Sequence, residues 1–327
     1  MQRDIKMDSI KGVLILLVVL GHCIEITENE GIMRILYNII YSFHMPLFVF
    51  VSGYFTNLQK TGKKYFLSIL NLLLIYCIFQ VLKSIPQIGS LKKIILFPQW
   101  TWWYILSLVH WRVLFYVINK WCSVIVNLKL VVFFCGVSIV CGYLPFTYAL
   151  SIQRTLFYSF PFVLGLFFRE KQNIQLIYNA NMSIVTISLC MSILAFVLIK
   201  DRDVDWMLHG CYSYSYWPIS LKLCPLVRIA QIALSIIISI SFIKYCPIKF
   251  FLVRIGKGTL FIYTYHTFVL RGLKLLDFKF NDIVFLVVEL VVTFASLYVL
   301  NKISILHYLI NPVNSIHKMF AVRTLKG

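Results

Sequence analysis

Charged side chains are scarce in this sequence, and acidic ones are the scarcest. Only 13% of the residues are Asp, Glu, Lys or Arg, whereas 60% are hydrophobic, and the mean hydropathy is +0.85. A soluble globular domain carries about 25% charged residues, so this composition excludes that class. We therefore predict an integral membrane protein whose 327 residues leave no room for a separate soluble domain.

Closely paired cysteines are also missing. Nine cysteines are scattered along the chain, and none forms a Cys-x-x-Cys pair. The usual spacing of a zinc or redox centre is thereby excluded, no disulfide framework is indicated, and no metal is expected. Cys211 and Cys224 share a long polar loop and would pair only in an oxidising compartment; free thiols are favoured.

Basic residues outnumber acidic ones, 31 against 12, for a formal charge of +19. No stripe of basic residues with interleaved aromatics lies outside the apolar runs, so nucleic acid is not an expected partner. In membrane proteins such charge gathers beside the cytoplasmic ends of spans and at anionic headgroups. With the N-terminus inside, more Lys and Arg fall on the cytoplasmic side. This predicts a multi-pass protein of the plasma membrane with both termini in the cytoplasm.

Ten apolar runs bounded by charged or turn residues predict ten membrane-spanning helices. The runs are continuous, and an open sheet cannot satisfy its backbone in lipid, so an all-α polytopic bundle is expected. The predicted spans cover 11–27, 35–55, 65–82, 102–118, 129–144, 154–168, 182–199, 226–243, 258–272 and 283–301. Residues 1–301 then form the membrane domain and 302–327 a basic cytoplasmic or interfacial tail. Arg112 and Glu289 fall within spans, where each is expected to form a structural ion pair.

Three histidines are predicted to lie at a similar depth. At 1.5 Å per residue, His22 lies about 16 Å above Lys11 on the first helix. His44 lies about 15 Å from the outer end of the second span, and His266 about 13 Å into the ninth. An ionisable group in hydrocarbon suggests a functional site. Equal depth does not establish contact, but it favours one shared polar cavity over three separate packing roles.

Neighbouring residues allow more than one interpretation. Glu25 lies three residues after His22 on the same helix face, where it either orients the ring or faces water as an interfacial acid, which is favoured. Pro46 is predicted to kink the second helix and free carbonyl groups that line a cavity, but a simply tolerated proline fits equally well. Arg154 either binds a substrate or anchors its helix at the headgroups, and the second role is favoured.

Four stretches of the chain carry a family resemblance. They are Asp8 to His22, Phe43-His44-Met45-Pro46-Leu47-Phe48 with Ser52-Gly53-Tyr54, Trp102-Trp103-Tyr104, and Ile255 through His266. Together they resemble the acyltransferase 3 family of integral-membrane O-acyltransferases, and most of all its bacterial sugar O-acetylase branch related to fucose 4-O-acetylases. In that family a basic residue, ten intervening residues and a histidine mark the first helix, and Lys11 with His22 matches that spacing.

The resemblance implies about ten helices around a central cavity, with acetyl-CoA supplied from the cytoplasm and a glycan hydroxyl from the opposite side. His22 would be the catalytic general base, with His44 as a further catalytic residue. The candidates for stabilising the oxyanion are His44, Ser52 or a backbone amide freed near Pro46. The donor-binding residues are predicted to be Lys11, Lys63, Lys64 and Lys257. The cavity or acceptor residues are predicted to be Glu25, Ser52, Trp103, Arg154 and His266.

The donor side departs from the family pattern. Relatives often carry Arg-x-x-Arg after the second helix, whereas this chain has Lys60-x-x-Lys63 followed by Lys64. Lysine lacks the guanidinium fork that holds phosphate at two points. Membrane topology explains these lysines at least as well as phosphate binding does.

The function predicted from sequence is acetyl-CoA-dependent O-acetylation of a cell-surface or lipid-linked glycan. A transporter or flippase is the alternative from another class, because polar residues at mid-depth in a bundle also describe a substrate pathway. A membrane sensor that retains the scaffold without chemistry is a third. Many transporters show internal repeats, and we find none in this sequence.

Overall fold

The computed structural model describes residues 4–26, 31–58, 62–84, 96–122, 126–146, 148–198, 204–275 and 282–315. Within these residues the chain is helical and contains no strand. The helices longer than one turn are α1 (Ile5–Ile26), α2 (Gly31–Phe55), α3 (Lys63–Ser84), α4 (Trp103–Cys122), α5 (Leu128–Val140), α6 (Ile152–Phe157), α7 (Ser159–Glu170), α8 (Met182–Leu198), α9 (Cys224–Tyr245), α10 (Phe250–Lys257), α11 (Thr259–Lys274), α12 (Asp282–Leu300) and α13 (Ser304–Leu309). This arrangement confirms the predicted all-α membrane helix bundle.

Each predicted span coincides with a helix, except the sixth, which is divided between α6 and α7. Among the described residues, α1, α2, α3 and α9 contain apolar stretches long enough to cross a membrane. Shorter apolar stretches cover Leu128–Tyr143, Met182–Ala195 and Val284–Leu300. The eight-residue helix α10 was not predicted. It lies between the eighth and ninth spans and packs against α1.

Helix α1 begins at Ile5, six residues before the predicted start of the first span. The cause is a cap, because the side chain of Asp4 accepts a hydrogen bond from the backbone N–H of Met7, 3.0 Å away. The longer helix places His22 about 26 Å from its beginning and one turn from its end. We call the two ends of the bundle the Asp4 end and the Glu25 end, because Asp4 lies at the start of α1 and Glu25 in its last turn.

Two pairs of helices touch through reciprocal glycines. A Cβ on Gly12 of α1 would collide with the carbonyl oxygen of Leu252, and a Cβ on Gly256 of α10 with that of Asp8. In the same way Gly53 of α2 lies against α7, and Gly165 of α7 lies against α2. Small residues let backbones approach closely where helix association depends on packing. Glycines in three of the sequence motifs, Gly12, Gly53 and Gly256, therefore make the close contacts of α1 and α2, which carry His22 and His44.

The two proline-containing helices differ. Helix α2 continues through Pro46, which lines an apolar crevice rather than a polar cavity. The sixth span is interrupted at Tyr158, whose backbone is not helical. Pro161 has no N–H to donate to the carbonyl of Phe157, and the hydroxyl of Ser138 donates to that carbonyl instead.

Several further expectations are tested by these helices. Arg112 and Glu289 form no ion pair within the described part of the chain, and both carboxylate oxygens of Glu289 are buried there without a hydrogen-bond partner. The expected ion pairs are therefore not found among the described residues. Cys211 and Cys224 are free thiols, as predicted. In the predicted tail, α13 packs on the bundle, since the hydroxyl of Tyr265 donates to the carbonyl of Leu306 at 2.9 Å.

Candidate active site

A polar cavity of about 260 Å³ lies toward the Glu25 end of the bundle. Its walls come from α1, α2, α4, α6 and α11 and from the segment 204–217, which leads toward α9. No single helix supplies the cavity, so its shape depends on how these elements pack. Most of the side chains considered below line it.

His22, Glu25 and Tyr41 form a hydrogen-bonded group in this cavity. The carboxylate of Glu25 lies 3.0 Å from Nδ1 of His22 and accepts from the hydroxyl of Tyr41, also at 3.0 Å. A carboxylate on Nδ1 favours the tautomer that carries its proton there and leaves a lone pair on Nε2. The side chains of His22 and Glu25 are 13% and 33% exposed. Glu25 thus combines the two roles considered for it, because it is hydrogen-bonded to the ring and remains partly exposed.

The two other predicted histidines lie next to this group. His44 lines the cavity, with its ring 4.8 Å from that of Tyr41. The ring of His266 stacks on that of His22, with centroids 5.5 Å apart and an interplanar angle of 22°. Each donates from Nδ1 to a carbonyl one turn earlier, His44 to Ile40 at 2.6 Å and His266 to Ile262 at 2.9 Å. These bonds leave Nε2 of both rings as a lone-pair acceptor if the ring is neutral.

A fourth histidine, His209, also lines the cavity. Its Nε2 lies 2.7 Å from the hydroxyl of Tyr37, whose ring stacks on that of Tyr41 with centroids 4.0 Å apart. Sequence reasoning missed His209 because it stands in a polar loop, outside every apolar run. The spacing of Tyr37, Tyr41 and His44, which places them on one face of α2, was a signal for this polar face.

Three side chains from the bundle hold the backbone of the His209 segment. Gln231 donates to the carbonyl of Met207 at 2.8 Å, Tyr158 to that of Leu208 at 3.3 Å, and Arg154 to that of His209 at 3.2 Å. Gln231 is held in turn by Arg228, a fully buried residue that donates to it at 3.0 Å. Arg228 lies over the ring of Phe157, 3.7 Å from its centroid. The loop is therefore fixed to α6, to α9 and to the break between α6 and α7, and His209 takes a defined place in the cavity wall.

Trp103 and Arg154, both predicted as cavity or acceptor residues, line the same cavity. The guanidinium of Arg154 lies 5.0 Å from the ring centroid of Trp103 and 5.5 Å from that of Tyr148. Trp103 also stacks on Tyr158, with centroids 5.1 Å apart. This wall offers aromatic faces and one fixed positive charge, a combination that suits a polar ligand with flat apolar patches.

Ser52 and Lys11 do not line the cavity. The hydroxyl of Ser52 donates to the carbonyl of Phe48 at 2.9 Å and lies 2.5 Å from the hydroxyl of Tyr104. Lys11 pairs with Asp8 at 2.8 Å, about 16 Å along α1 from His22, and lies over the ring of Phe55.

The other predicted donor residues are also separate from the cavity. Lys63, Lys64 and Lys257 are exposed, and Lys60 lies outside the described residues. No group of three or more His, Cys, Asp or Glu side chains that could hold a metal ion occurs in the described part of the chain. The absence of a metal stays a prediction.

Comparison with known proteins identifies the family. The family model described as an acyltransferase domain, that of acyltransferase 3, matches residues 4–302. The chain belongs to the acyltransferase 3 family. The match covers α1 to α12, and it therefore includes every wall of the cavity.

Individual relatives match over a short segment. The nodulation protein NolL of Sinorhizobium fredii is 47% identical over 57 residues, which are 16% of this chain and 15% of that protein. The nodulation protein NolL of Mesorhizobium japonicum is 39% identical over 59 residues, 17% of this chain and 16% of its own length. This chain thus matches about a sixth of each relative. No solved structure matches the chain.

Proposed function

We propose that this protein is a membrane O-acetyltransferase that moves an acetyl group from acetyl-CoA to a hydroxyl of a cell-surface or lipid-linked glycan. The observation that carries the proposal is the hydrogen bond between Glu25 and Nδ1 of His22 in a polar cavity within a membrane bundle. The family match supports acyl transfer as the class of reaction. The aromatic and cationic wall at Trp103 and Arg154 supports a polar acceptor.

The chemistry follows from the tautomer of His22. Its Nε2 takes the proton of the acceptor hydroxyl while the hydroxyl oxygen attacks the thioester carbonyl. The tetrahedral intermediate then breaks its carbon–sulfur bond, and the leaving thiolate takes the proton back from Nε2, so that the products are the ester and free CoA. Glu25 stabilises the imidazolium that exists between these two steps, and it keeps the ring oriented.

The role proposed for His44 changes with its geometry. Because Nδ1 of His44 donates to the carbonyl of Ile40, a neutral His44 has no second N–H for an oxyanion. Its Nε2 is suited instead to accept a hydrogen bond that a hydroxyl of the glycan substrate donates. Ser52 is likewise no oxyanion donor in this arrangement, because its hydroxyl is engaged outside the cavity.

The donor is proposed to enter from the Asp4 end. Lys11 lies near that end, and Lys63, Lys64 and Lys257, at the start of α3 and the end of α10, expose charges that suit the phosphates of CoA. If that end faces the cytoplasm, as the basic residues predict, both termini lie on the cytoplasmic side of the plasma membrane. The thioester would then have to reach about 16 Å along α1, from Lys11 to His22.

The decisive experiment replaces His22 with Ala in the full chain. Membranes that contain the variant should transfer acetyl from labelled acetyl-CoA to glycan at least about 100-fold more slowly, while the protein stays folded and membrane-bound. His307→Ala is the matched control, because His307 belongs to α13 and does not line the cavity. Full O-acetyl content with His22→Ala, measured by mass spectrometry, would contradict the proposal. If the protein were a transporter, the glycan would carry no added acetyl group with either the wild-type protein or His22→Ala.

A further inference from the structure

A second cavity adjoins the polar one and differs from it in chemistry. It is an apolar crevice of about 310 Å³ between α7 and α9, with further walls from α2 and α5. Leu164 and Phe168 line it from α7, and Ile232, Ile236, Ser239 and Ile243 line it from α9. From Gln231 to Ile243 the wall of α9 is about 18 Å long, more than half of a bilayer core. A narrow apolar crevice that runs along the helix axes has the form of a site for one extended lipid chain.

The crevice meets the polar cavity at Tyr158, which lines both. One turn before Tyr158 stands Arg154, whose Nε donates to the carbonyl of His209. Within the described residues, no hydrogen-bond partner is present for the two terminal nitrogens of this guanidinium. A positive charge with unused donors thus lies in the polar cavity, close to the point where the apolar crevice begins.

The two cavities together present three kinds of chemistry in sequence. A general base at His22 suits a hydroxyl, the guanidinium of Arg154 suits an anion, and the crevice beyond Tyr158 suits a long apolar chain. Resting on the function proposed above, we infer that the acceptor is a glycan joined through phosphate to a long lipid chain. The chain occupies the crevice, Arg154 binds the phosphate, and the glycan hydroxyl lies at His22.

The crevice suits the acceptor better than the acyl chain of a donor. The acyl group that is transferred must lie at His22, on α1, and α1 contributes no residue to the crevice. The entrance at Tyr158 lies beside Trp103 and Arg154, whose chemistry suits a glycan phosphate. The lipid chain that enters the crevice at Tyr158 is therefore the part of the acceptor that lies farthest from the reacting hydroxyl.

A second apolar crevice provides a control within the same bundle. It has a volume of about 320 Å³ and is lined by Leu189 and Ile193 of α8 and Ile238 of α9. It shares no lining residue with the polar cavity. A bilayer lipid would fill either crevice, whereas a chain attached to the acceptor requires the one that adjoins the polar cavity.

The first experiment compares two acceptors with purified full-length protein in lipid nanodiscs. One is a glycan phosphate esterified to a long polyprenyl chain, and the other is the same glycan phosphate as its methyl ester. Ser239→Phe, which fills the crevice, should raise KM for the polyprenyl acceptor about tenfold and leave KM for the methyl ester unchanged. Leu189→Phe, which fills the control crevice, should change neither value. A third acceptor, the same glycan without phosphate, tests Arg154: Arg154→Gln should raise KM more for the two phosphate esters than for this glycan, because Arg154 also holds the His209 backbone.

Three results would overturn the inference. Equal effects of Ser239→Phe on both acceptors would mean a structural role for the crevice. No effect on either would mean that bilayer lipid alone occupies it. A raised KM for the acyl-CoA in place of the polyprenyl acceptor would assign the crevice to the donor.

A binding experiment separates this inference from the proposed function, because it needs no turnover. A polyprenyl phosphate with a photoactivatable group in its chain should label the segment 231–243, and Ser239→Phe should abolish the labelling. Unlabelled polyprenyl phosphate should compete, and excess phosphatidylglycerol should not. Equal competition by phosphatidylglycerol would show a general lipid site and would overturn the inference. Specific labelling of a protein that acetylates no glycan would refute only the proposed function.

Discussion

The two ends of α1 are packed in opposite ways. Near the Asp4 end, Gly12 and Gly256 bring the backbones of α1 and α10 into contact, and no side chain separates them. At the Glu25 end, the side chains of His22 and Tyr41 line a polar cavity and are joined through Glu25. One helix thus combines a close backbone contact with a polar cavity, about 15 Å apart along its axis from Gly12 to His22.

The difference shows how a membrane bundle can hold a polar site open. Polar groups in hydrocarbon need partners, and a group of them around a cavity leaves less apolar surface to hold the helices together. The close contacts of α1 with α10 and of α2 with α7 supply packing elsewhere on the same helices. We expect substitutions at the Glu25 end to change the activity and not the stability. Substitutions at the close helix contacts near the Asp4 end should change the stability and not the chemistry.

The largest effect on activity short of removing His22 is expected for Glu25→Gln. The amide cannot stabilise an imidazolium as a carboxylate does, so kcat should fall about 100-fold. The melting temperature should change little, because the side chain of Glu25 is 33% exposed and the amide keeps its size. Transfer from labelled acetyl-CoA and thermal unfolding in detergent measure the two quantities.

Glu170→Gln is the matched control for that variant, since Glu170 lies at the end of α7 and does not line the cavity. Its kcat should equal that of the wild-type protein. A full loss of activity with Glu170→Gln, or full activity with Glu25→Gln, would remove Glu25 from the reaction.

The opposite effect is expected for Gly53→Ala. The added methyl group would collide with the carbonyl oxygen of Phe162, so α2 and α7 must separate. Overpacking of this kind costs about 1–3 kcal/mol. The melting temperature in detergent should fall, while kcat of the protein that remains folded should be nearly unchanged.

Gly136→Ala is the control, because no atom of another helix lies within 4 Å of a Cβ at that position. Its melting temperature should not fall. A drop of equal size for both variants would mean that helix propensity or lipid contact, and not the close approach, explains the loss at Gly53.

The sequence predicted the bundle well because continuous apolar runs identify spans without any knowledge of their neighbours. It misplaced the start of α1, since the cap at Asp4 extends the helix beyond the apolar run. It also predicted an ion pair for Glu289 from burial alone, and burial does not reveal which side chains from other helices lie nearby.

The site was predictable only in part. Depth arithmetic pointed to His22, His44 and His266, because a histidine in an apolar run stands out and its height follows from helix geometry. His209 was not predictable, since its place depends on side chains of distant helices, such as Gln231 of α9, that bind the loop backbone. Ser52 was a misleading candidate, because its hydroxyl bonds to a carbonyl of its own helix.

The smallest effect is expected for Tyr37→Phe, which tests whether the His209 loop belongs to the site. The variant keeps the stacked ring but loses the hydroxyl that lies 2.7 Å from Nε2 of His209. One hydrogen bond contributes about 1 kcal/mol, so KM for the glycan should rise about fivefold while KM for acetyl-CoA stays constant. Tyr298→Phe, on the exposed face of α12, is the control and should change neither KM. An equal rise in both KM values would show that Tyr37 supports the whole cavity, whereas a rise for the glycan alone places His209 on the acceptor side of the reaction.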